Sequence, residues 1–249
     1  MNHAPDIRCI PGAKNAIVMI HGICGTPRHF DRFLPYIPEN WSIFNVLLDG
    51  HGGTPKDFSR TSMQKWKEQI AGLLDEVSQS HSRIVIMGHS MGSVLAMEAA
   101  GRYPQVTGLF LLNVPLCIHF KPIMLYRLMK LSFHKTNTAN PWEHALKQAA
   151  GIQVTAKLWQ YLGFLPRFRE LLQLCRHCKA ILPTLHLPSR VFLSGKDELV
   201  SLRSAEYFQR NSCWEPIILP GSGHYYYTPQ ELSVLTDALR DFLKKEISP

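Results

Sequence analysis

Three polar positions in separate loops have the residue types needed for nucleophilic catalysis. Ser90 lies between Gly88 and Gly92 in the stretch GHSMG, directly after the apolar run IVIM. A serine hydroxyl is a weak nucleophile, so it needs a histidine base, and the histidine needs a carboxylate that fixes its tautomer. Further along, DELV supplies acids at 197 and 198, and GSGH supplies His224. The order serine, acid, histidine predicts a catalytic triad that the fold must assemble.

The two glycines around Ser90 indicate a sharp turn between a strand and a helix, which is the context of a nucleophile elbow. They allow the two elements to approach without a clash of Cβ atoms, although a purely structural glycine-rich turn is the alternative. The turn places the Met91 amide at a helix N-terminus, where it can stabilise an oxyanion. Ile23 N–H, in the turn HGICG, is the candidate for the second donor. Cys24 lacks an arranged base and is interpreted as an apolar wall of the site.

Asp197 and Glu198 are adjacent, so their side chains diverge and only one of them can face His224. Asp197 is shorter and lies closer to the preceding apolar run VFLS, which favours it as the acid. Glu198 is then interpreted as a solvated loop charge. The other histidines are poorer bases: His89 neighbours Ser90 but points elsewhere, and His21 and His51 are expected to hold glycine turns by hydrogen bonds.

The composition indicates a folded globular protein, with 45% hydrophobic and 18% charged residues. No apolar run approaches the roughly 18 residues of a membrane helix, and the N-terminal residues show no secretory signal. The six cysteines are scattered, which predicts reduced thiols and a cytoplasmic location. Cys175 and Cys178 form a C-x-x-C around His177, but no second ligand pair accompanies it, so we expect helix packing with one exposed thiol and no metal.

Short apolar runs that alternate with helical patterns predict an α/β fold with a mostly parallel sheet covered by helices on both faces. The first strand is expected to pair with a short strand over residues 7–10 through the turn PGAKN. The predicted strands are 16–20, 43–48, 84–87, 109–112, 190–193 and 216–219. The predicted helices are 28–36, 62–80, 91–103, 202–209 and 228–245.

Residues 115–188 differ from the rest of the chain in pattern and in charge. They hold ten Lys or Arg residues and only two acids, so they carry the whole net charge of +8. Their helical spacing and six prolines predict a helical cap inserted into a core formed by residues 1–114 and 189–249. Apolar residues of this cap are candidates for an acyl pocket, with ordinary cap packing as the alternative; together with Cys24 they are Met124, Leu128, Trp142 and Trp159. The basic residues are expected either to attract anionic substrates or a lipid surface, or to form a solvated face.

Five short stretches together resemble the α/β-hydrolase superfamily, and within it the small bacterial carboxylesterases and monoacylglycerol lipases. They are HGICGTP (21–27), DGHGGTP (49–55), GHSMG (88–92), DELV (197–200) and GSGH (221–224). The resemblance implies Ser90 as nucleophile, Asp197 as acid and His224 as base, with Ile23 and Met91 as oxyanion donors. It also implies the α/β-hydrolase fold with a lid between the sixth and seventh core strands. One position departs from the pattern: Ser194 stands where the family usually has a glycine, three residues before the acid.

We therefore hypothesise that the chain hydrolyses carboxylic esters through an acyl-enzyme, without a metal or organic cofactor. We expect a small-molecule ester or acyl substrate and no nucleic-acid partner. The same triad serves thioesterases, acyltransferases and carbon–carbon bond hydrolases, which the fold does not distinguish. A non-catalytic binding protein on this scaffold is a further alternative, but such proteins usually have a broken triad, and here all three members are present.

Overall fold

The computed structural model describes residues 3–210 and 214–245, so Cys213 lies outside the described residues. Seven strands form one sheet in the order β1-β3-β2-β4-β5-β6-β7, and every pair except β1–β3 is parallel. This confirms the predicted α/β class with a mostly parallel sheet. The strands are β1 (Asp6–Arg8), β2 (Asn15–Ile20), β3 (Trp41–Val46), β4 (Arg83–His89), β5 (Val106–Leu112), β6 (Ser189–Ser194) and β7 (Pro216–Leu219).

Eight α-helices cover the sheet within the described ranges. They are α1 (Pro55–Arg60), α2 (Met63–Ser80), α3 (Met91–Ala100), α4 (Pro122–Ser132), α5 (Pro141–Ala149), α6 (Leu165–Ile181), α7 (Ala205–Phe208) and α8 (Pro229–Lys245). The predicted helix at 28–36 is instead two 3-10 turns, Pro27–Phe30 and Leu34–Tyr36, each with a proline near its start. Proline has no backbone N–H to donate to a longer helix, and 3-10 segments rarely extend beyond three or four residues. The two turns therefore stay separate.

The central strands are buried on both faces, which is why they read as continuous apolar runs. In β2, Val18 and Ile20 pack with α2 and α3 in one hydrophobic cluster. Ile17 and Met19 of the same strand pack with α8 in a second cluster on the opposite face. Successive side chains of a strand point to opposite faces, so one strand anchors both helical layers.

The expected pairing of the N-terminal strand with β2 is wrong. β1 instead lies antiparallel to β3 at the sheet edge, with Asp6 opposite Asn45 and Arg8 opposite Ile43. The side of β2 that a hairpin would occupy is taken by β3, which runs parallel to β2 along its full length. A turn sequence indicates a reversal of the chain, but it does not determine which neighbour the strand finds.

The basic segment lies between β5 and β6. It holds α4, α5 and α6 and no sheet strand in its described residues, apart from a single bridge between Ile118 and Val200. Its last helix, α6, buries Leu171, Leu174 and Cys178 in the cluster that contains α3. The division into core and cap stays a prediction. No helix in the described ranges is long and apolar enough to cross a bilayer.

Candidate active site

Ser90 lies in a strained turn at the point where β4 passes into α3. Its φ of 53° is in the left-handed region, which a residue with a Cβ adopts rarely and at a cost of about 1–3 kcal/mol. A Cβ on Gly92 would lie 1.8 Å from the carbonyl oxygen of Ile20, and one on Gly88 would lie 2.6 Å from the carbonyl oxygen of Gly92. The predicted role of the two glycines is therefore confirmed, because both positions exclude a side chain.

The two predicted oxyanion donors lie in turns that meet beside Ser90. A Cβ built on Gly22 would come within 3.1 Å of Ser90 Cβ, so the HGICG turn packs directly on the serine. Neither Ile23 N–H nor Met91 N–H donates to an acceptor in the described part of the chain. Two unpaired amides beside one hydroxyl are the arrangement that stabilises a tetrahedral oxyanion.

The acid loop after β6 brings one carboxylate onto the histidine ring. His224 Nδ1 lies 2.9 Å from Asp197 Oδ2 and 3.1 Å from Oδ1, with both side chains buried. Asp197 Oδ1 also accepts from the backbone N–H groups of Leu199 and Val200, at 2.7 Å each. These bonds hold the carboxylate and fix the tautomer of His224 with its proton on Nδ1. Ser90 Oγ and His224 Nε2 make no hydrogen bond among the described residues, as is common before substrate is bound.

Glu198 has a role that differs from the expected solvated charge. Its side chain is buried, and Oε2 accepts from the backbone N–H of His224 at 3.0 Å. Oε1 forms an ion pair with Arg127 of α4. The adjacent carboxylates thus diverge as predicted, but both act on the same histidine, one on its ring and one on its backbone.

Two side chains that were not predicted as site residues, His89 and Asn113, contact the carbonyl oxygen of His224. The carbonyl oxygen of His224 lies 2.9 Å from His89 Nε2 and accepts from Asn113 Nδ2 at 3.2 Å. Asn113 has a φ of 50° at the end of β5, and its Oδ1 accepts from Ser194 N–H. The signal for Asn113 was its place after an apolar strand, beside the strand that ends in the elbow.

The predicted pocket residues divide into three that lie near His224 and others that do not. Met124 and Leu128 of α4 pack in one cluster with Tyr225, whose ring is 4.7 Å from that of His224. Trp142 of α5 packs on Gly223, where an added Cβ would lie 2.1 Å from the indole. Trp159 is 65% exposed in the 3-10 segment Leu158–Phe164, so its surroundings do not favour a pocket role.

Cys24 lies in the HGICG turn with a φ of 55°, next to the candidate oxyanion donor Ile23. Burial raises the pKa of its thiol to about 12. A thiol with such a pKa stays protonated at neutral pH, and the thiolate is the nucleophilic form of cysteine. This favours the interpretation of Cys24 as an apolar wall.

The sequence profile of the alpha/beta hydrolase family matches residues 17–234, which include the elbow, the acid loop and the histidine loop. The chain belongs to the alpha/beta hydrolase family. Its similarity to individual curated members is more limited. It is 32% identical to a pimeloyl-[acyl-carrier protein] methyl ester esterase of Neisseria meningitidis serogroup B over 107 residues, which are 42% of this chain and 38% of that protein. It is 28% identical to a thermostable monoacylglycerol lipase of Bacillus sp. over 99 residues, 39% of each chain. The chain thus spans less than two fifths of the length of these relatives.

Solved structures of this hydrolase family match along nearly the whole chain. A metagenome-derived lipolytic enzyme superposes with a TM-score of 0.74 at 19% identity and covers 98% of both chains. A monoacylglycerol lipase of Paleococcus ferrophilus gives a TM-score of 0.70 at 14% identity, over 99% of this chain and all of the other. At such identities the likeness establishes the α/β-hydrolase fold and nothing finer.

Four buried histidines of the chain are held neutral. Burial lowers the pKa of His21 to about 4, and it lowers the pKa of His29, His51 and His89 well below the ordinary value. His21 and His51 hold their glycine turns as predicted: His21 Nε2 accepts from Leu48 N–H, and His51 Nδ1 lies 3.2 Å from Leu48 O. His29 stacks on His89 at 3.9 Å, and neither of its ring nitrogens has a partner among the described residues.

These histidines predict a loss of stability in mild acid. In the unfolded chain each has a pKa near 6.5, so below that pH the unfolded state binds more protons and the free energy of unfolding falls. Each histidine that stays neutral when folded is expected to cost roughly 2 kcal/mol at pH 5 relative to pH 7. Urea denaturation at a series of pH values measures the effect.

Two matched variants test whether the buried histidines cause the loss of stability between pH 7 and pH 5. His29→Phe keeps the stacked ring and removes one titrating group, so it should reduce the loss between pH 7 and pH 5. His177→Phe replaces an exposed histidine of α6 and should leave the loss unchanged. A free energy of unfolding that is flat from pH 7 to pH 5 in the unmodified chain would contradict the prediction.

The C-x-x-C pair of α6 is structural. Cys175 and Cys178 are both buried, so the expected exposed thiol is absent from this pair. The thiol of Cys178 lies 3.3 Å from the carbonyl oxygen of Val94, and burial raises the pKa of Cys175 to about 12. No group of three metal-ligating side chains occurs in residues 3–210 and 214–245. The pair therefore packs α6 against α3.

Proposed function

We propose that this chain is a serine hydrolase that cleaves carboxylic esters through an acyl-enzyme, with Ser90 as nucleophile, His224 as base and Asp197 as acid. The observation that carries the proposal is the bond from His224 Nδ1 to the buried Asp197 carboxylate, which leaves Nε2 as the basic nitrogen. The strained turn at Ser90 and the unpaired Ile23 and Met91 amides support it.

The proposed reaction has two steps. Ser90 Oγ attacks the ester carbonyl while His224 Nε2 takes the hydroxyl proton, and the Ile23 and Met91 amides stabilise the tetrahedral oxyanion. When the intermediate collapses, His224 returns this proton to the leaving alcohol, and the acyl group remains on Ser90. A water molecule then gives its proton to His224 and attacks the acyl carbonyl. His224 reprotonates Ser90 as the carboxylic acid leaves.

Two of the curated relatives favour ester chemistry over the other reactions of this triad. One is named as a methyl ester esterase and another as a monoacylglycerol lipase, both of which cleave esters. Their aligned stretches are short, so acyl length and alcohol are open. The apolar cluster of Met124, Leu128 and Tyr225 near His224 fits an apolar acyl chain.

A fluorogenic substrate panel tests the proposal. Esters of increasing acyl length should be hydrolysed, and a fluorophosphonate probe should label the chain at a single serine. Matched thioesters distinguish a thioesterase, and added alcohols as acceptors distinguish an acyltransferase. A correctly folded chain that neither reacts with the probe nor hydrolyses any ester would contradict the proposed function.

We also propose that exposed apolar and basic side chains of residues 115–188 contact anionic lipid. Exposed apolar side chains lie on α4, among them Leu125 and Met129, and on α6, among them Leu165, Phe168 and Leu172. Exposed basic side chains lie in the same segment without an acidic partner in the described residues, namely Lys135, Lys157, Arg169 and Arg176. Apolar contact and basic charge together favour the interface of an anionic membrane over a solvated face.

Sedimentation with phosphatidylcholine vesicles, with or without phosphatidylglycerol, tests this contact at low and high salt. We expect binding to the anionic vesicles that weakens with salt, because screening acts on exposed charges. Met129→Ser should weaken binding at both salt concentrations, whereas Val234→Ser, an exposed apolar residue of α8, should not. Equal binding to both vesicles without a salt effect would contradict the electrostatic part.

A further inference from the structure

Glu198 connects the candidate base to helix α4. The residue is only 4% exposed, and its Oε2 accepts from the His224 backbone N–H while Oε1 pairs with the Arg127 guanidinium. A buried carboxylate is stable only when it is paired and hydrogen-bonded. Glu198 therefore needs both partners, and one of them belongs to α4.

Arg127 is held in this position by a second element. Its guanidinium lies over the indole of Trp142 in α5, 4.9 Å from the ring centroid. Trp142 also contacts Tyr226 at 4.9 Å and packs on Gly223. Trp142 thus contacts residues on both sides of His224 in its loop, and the Arg127 side chain packs on Trp142.

The acid loop is also tied to the start of the same segment. Lys121 N–H donates to the carbonyl oxygen of Glu198, and His119 N–H donates to that of Leu199. These bonds place the N-terminal end of α4 beside the loop that carries Asp197 and Glu198. A displacement of α4 would therefore act on the loop through both the backbone and Arg127.

We propose that Arg127 and Glu198 are positioning residues that couple the placement of α4 over the site to the placement of His224. The inference rests on the proposed function, because it takes His224 as the base. When α4 lies over the site, Arg127 neutralises Glu198, and Glu198 holds the His224 backbone opposite His89 and Asn113. When α4 moves away, the carboxylate loses its cation and the histidine loop loses one of its restraints.

Several charged and titratable groups besides Glu198 face His224. Asp197 and Glu198 face it from the acid loop, His89 from the end of β4, and Tyr225 from the next position in the chain. His29 lies behind His89. The variants below alter only the Arg127–Glu198 pair, so the other groups act as a constant background.

Four variants separate the charge from the hydrogen bond. Glu198→Leu removes the acceptor and should lower kcat about tenfold to hundredfold with little change in KM, as expected for a displacement on the order of 1 Å. Glu198→Gln keeps an acceptor but leaves the positive charge of Arg127 without a partner. The acid limb of the pH profile of kcat/KM, which follows the protonation of His224, should therefore move to lower pH. Arg127→Met leaves a free carboxylate and should move that limb to higher pH. The double variant Arg127→Met/Glu198→Gln restores neutrality and should return the limb towards the unmodified value.

The matched control is Lys67→Met, which breaks an ion pair with the largely buried side chain of Glu98, between α2 and α3 and without a polar contact to α4 in the described residues. It should leave the acid limb unchanged. Acid limbs that coincide in Arg127→Met, Glu198→Gln and the unmodified chain would overturn the coupling, whatever their unfolding midpoints.

The effect of the Arg127–Glu198 pair on His224 can also be measured without catalysis. In a Ser90→Ala background, NMR titration of the His224 imidazole should move in opposite directions for Arg127→Met and Glu198→Gln. If no ester is hydrolysed but these titrations diverge, the proposed function fails and the electrostatic coupling to His224 stands. If esters are hydrolysed and the titrations coincide, the coupling alone fails.

Discussion

Ser90→Ala is expected to lower kcat for ester hydrolysis by at least about three decades, because the oxyanion donors and substrate positioning alone leave only a residual rate. Labelling by a fluorophosphonate should disappear with it. The free energy of unfolding should change by less than about 1 kcal/mol, since Ser90 Oγ makes no hydrogen bond among the described residues. Hydrolysis of short p-nitrophenyl esters, followed under single-turnover conditions, measures the effect.

The control for this variant is Ser233→Ala, an exposed serine on α8. It makes the same chemical change on the other side of the sheet and should leave both labelling and kcat unchanged. A Ser90→Ala chain that hydrolyses esters at a rate near that of the unmodified chain would show that another group is the nucleophile.

Gly92→Ala is expected to destabilise the fold by at least about 3 kcal/mol, at the upper end of the effects of overpacking. The added Cβ would lie 1.8 Å from the carbonyl oxygen of Ile20, which is backbone and cannot rotate away. α3 must therefore move from β2, and Ser90 and the Met91 amide move with it. Urea denaturation followed by circular dichroism measures the loss of stability, and fluorophosphonate labelling should fall in the same variant.

Gly72→Ala is the matched control for this substitution. Gly72 lies inside α2 with no atom within 4 Å of the position of an added Cβ. Alanine is favoured over glycine in a helix interior by roughly 0.5–1 kcal/mol, so this variant should be stabilised. Unfolding midpoints that are the same for the two variants would contradict the assignment of Gly92 to a close approach of two backbones.

Elements of the fold that depend on neighbouring residues were predictable, and those that depend on residues far apart in the chain were not. Buried strands such as β2 and β4 are visible as apolar runs, because a strand covered on both faces needs apolar residues at every position. The place of β1 was not visible. Residues 6–8 meet residues 43–45 across more than thirty positions of chain, and a turn motif contains no information about that pairing.

The candidate site shows the same division at the level of side chains. The elbow around Ser90 was predictable because the glycines on its two flanks form a short local motif, although the clash that excludes a side chain at Gly92 is with Ile20 in β2. The choice of Asp197 as the acid rested on its length and its distance from the strand end, and the structure brings its carboxylate onto the His224 ring. The ion pair of Glu198 with Arg127 joins positions 71 residues apart, so no local pattern could predict it.

The sequence by itself determined the alternation of strands and helices and the elbow motif, because these are visible as residue patterns within short stretches, and it displayed the order serine, acid, histidine directly. Only the tertiary structure decided which groups surround the histidine. It made Glu198 a buried partner of the His224 backbone, and it stacked His29 on His89 as neutral rings. The physical reason is that burial and pairing depend on long-range packing, and these determine whether a charged or titratable side chain is solvated, neutral or neutralised.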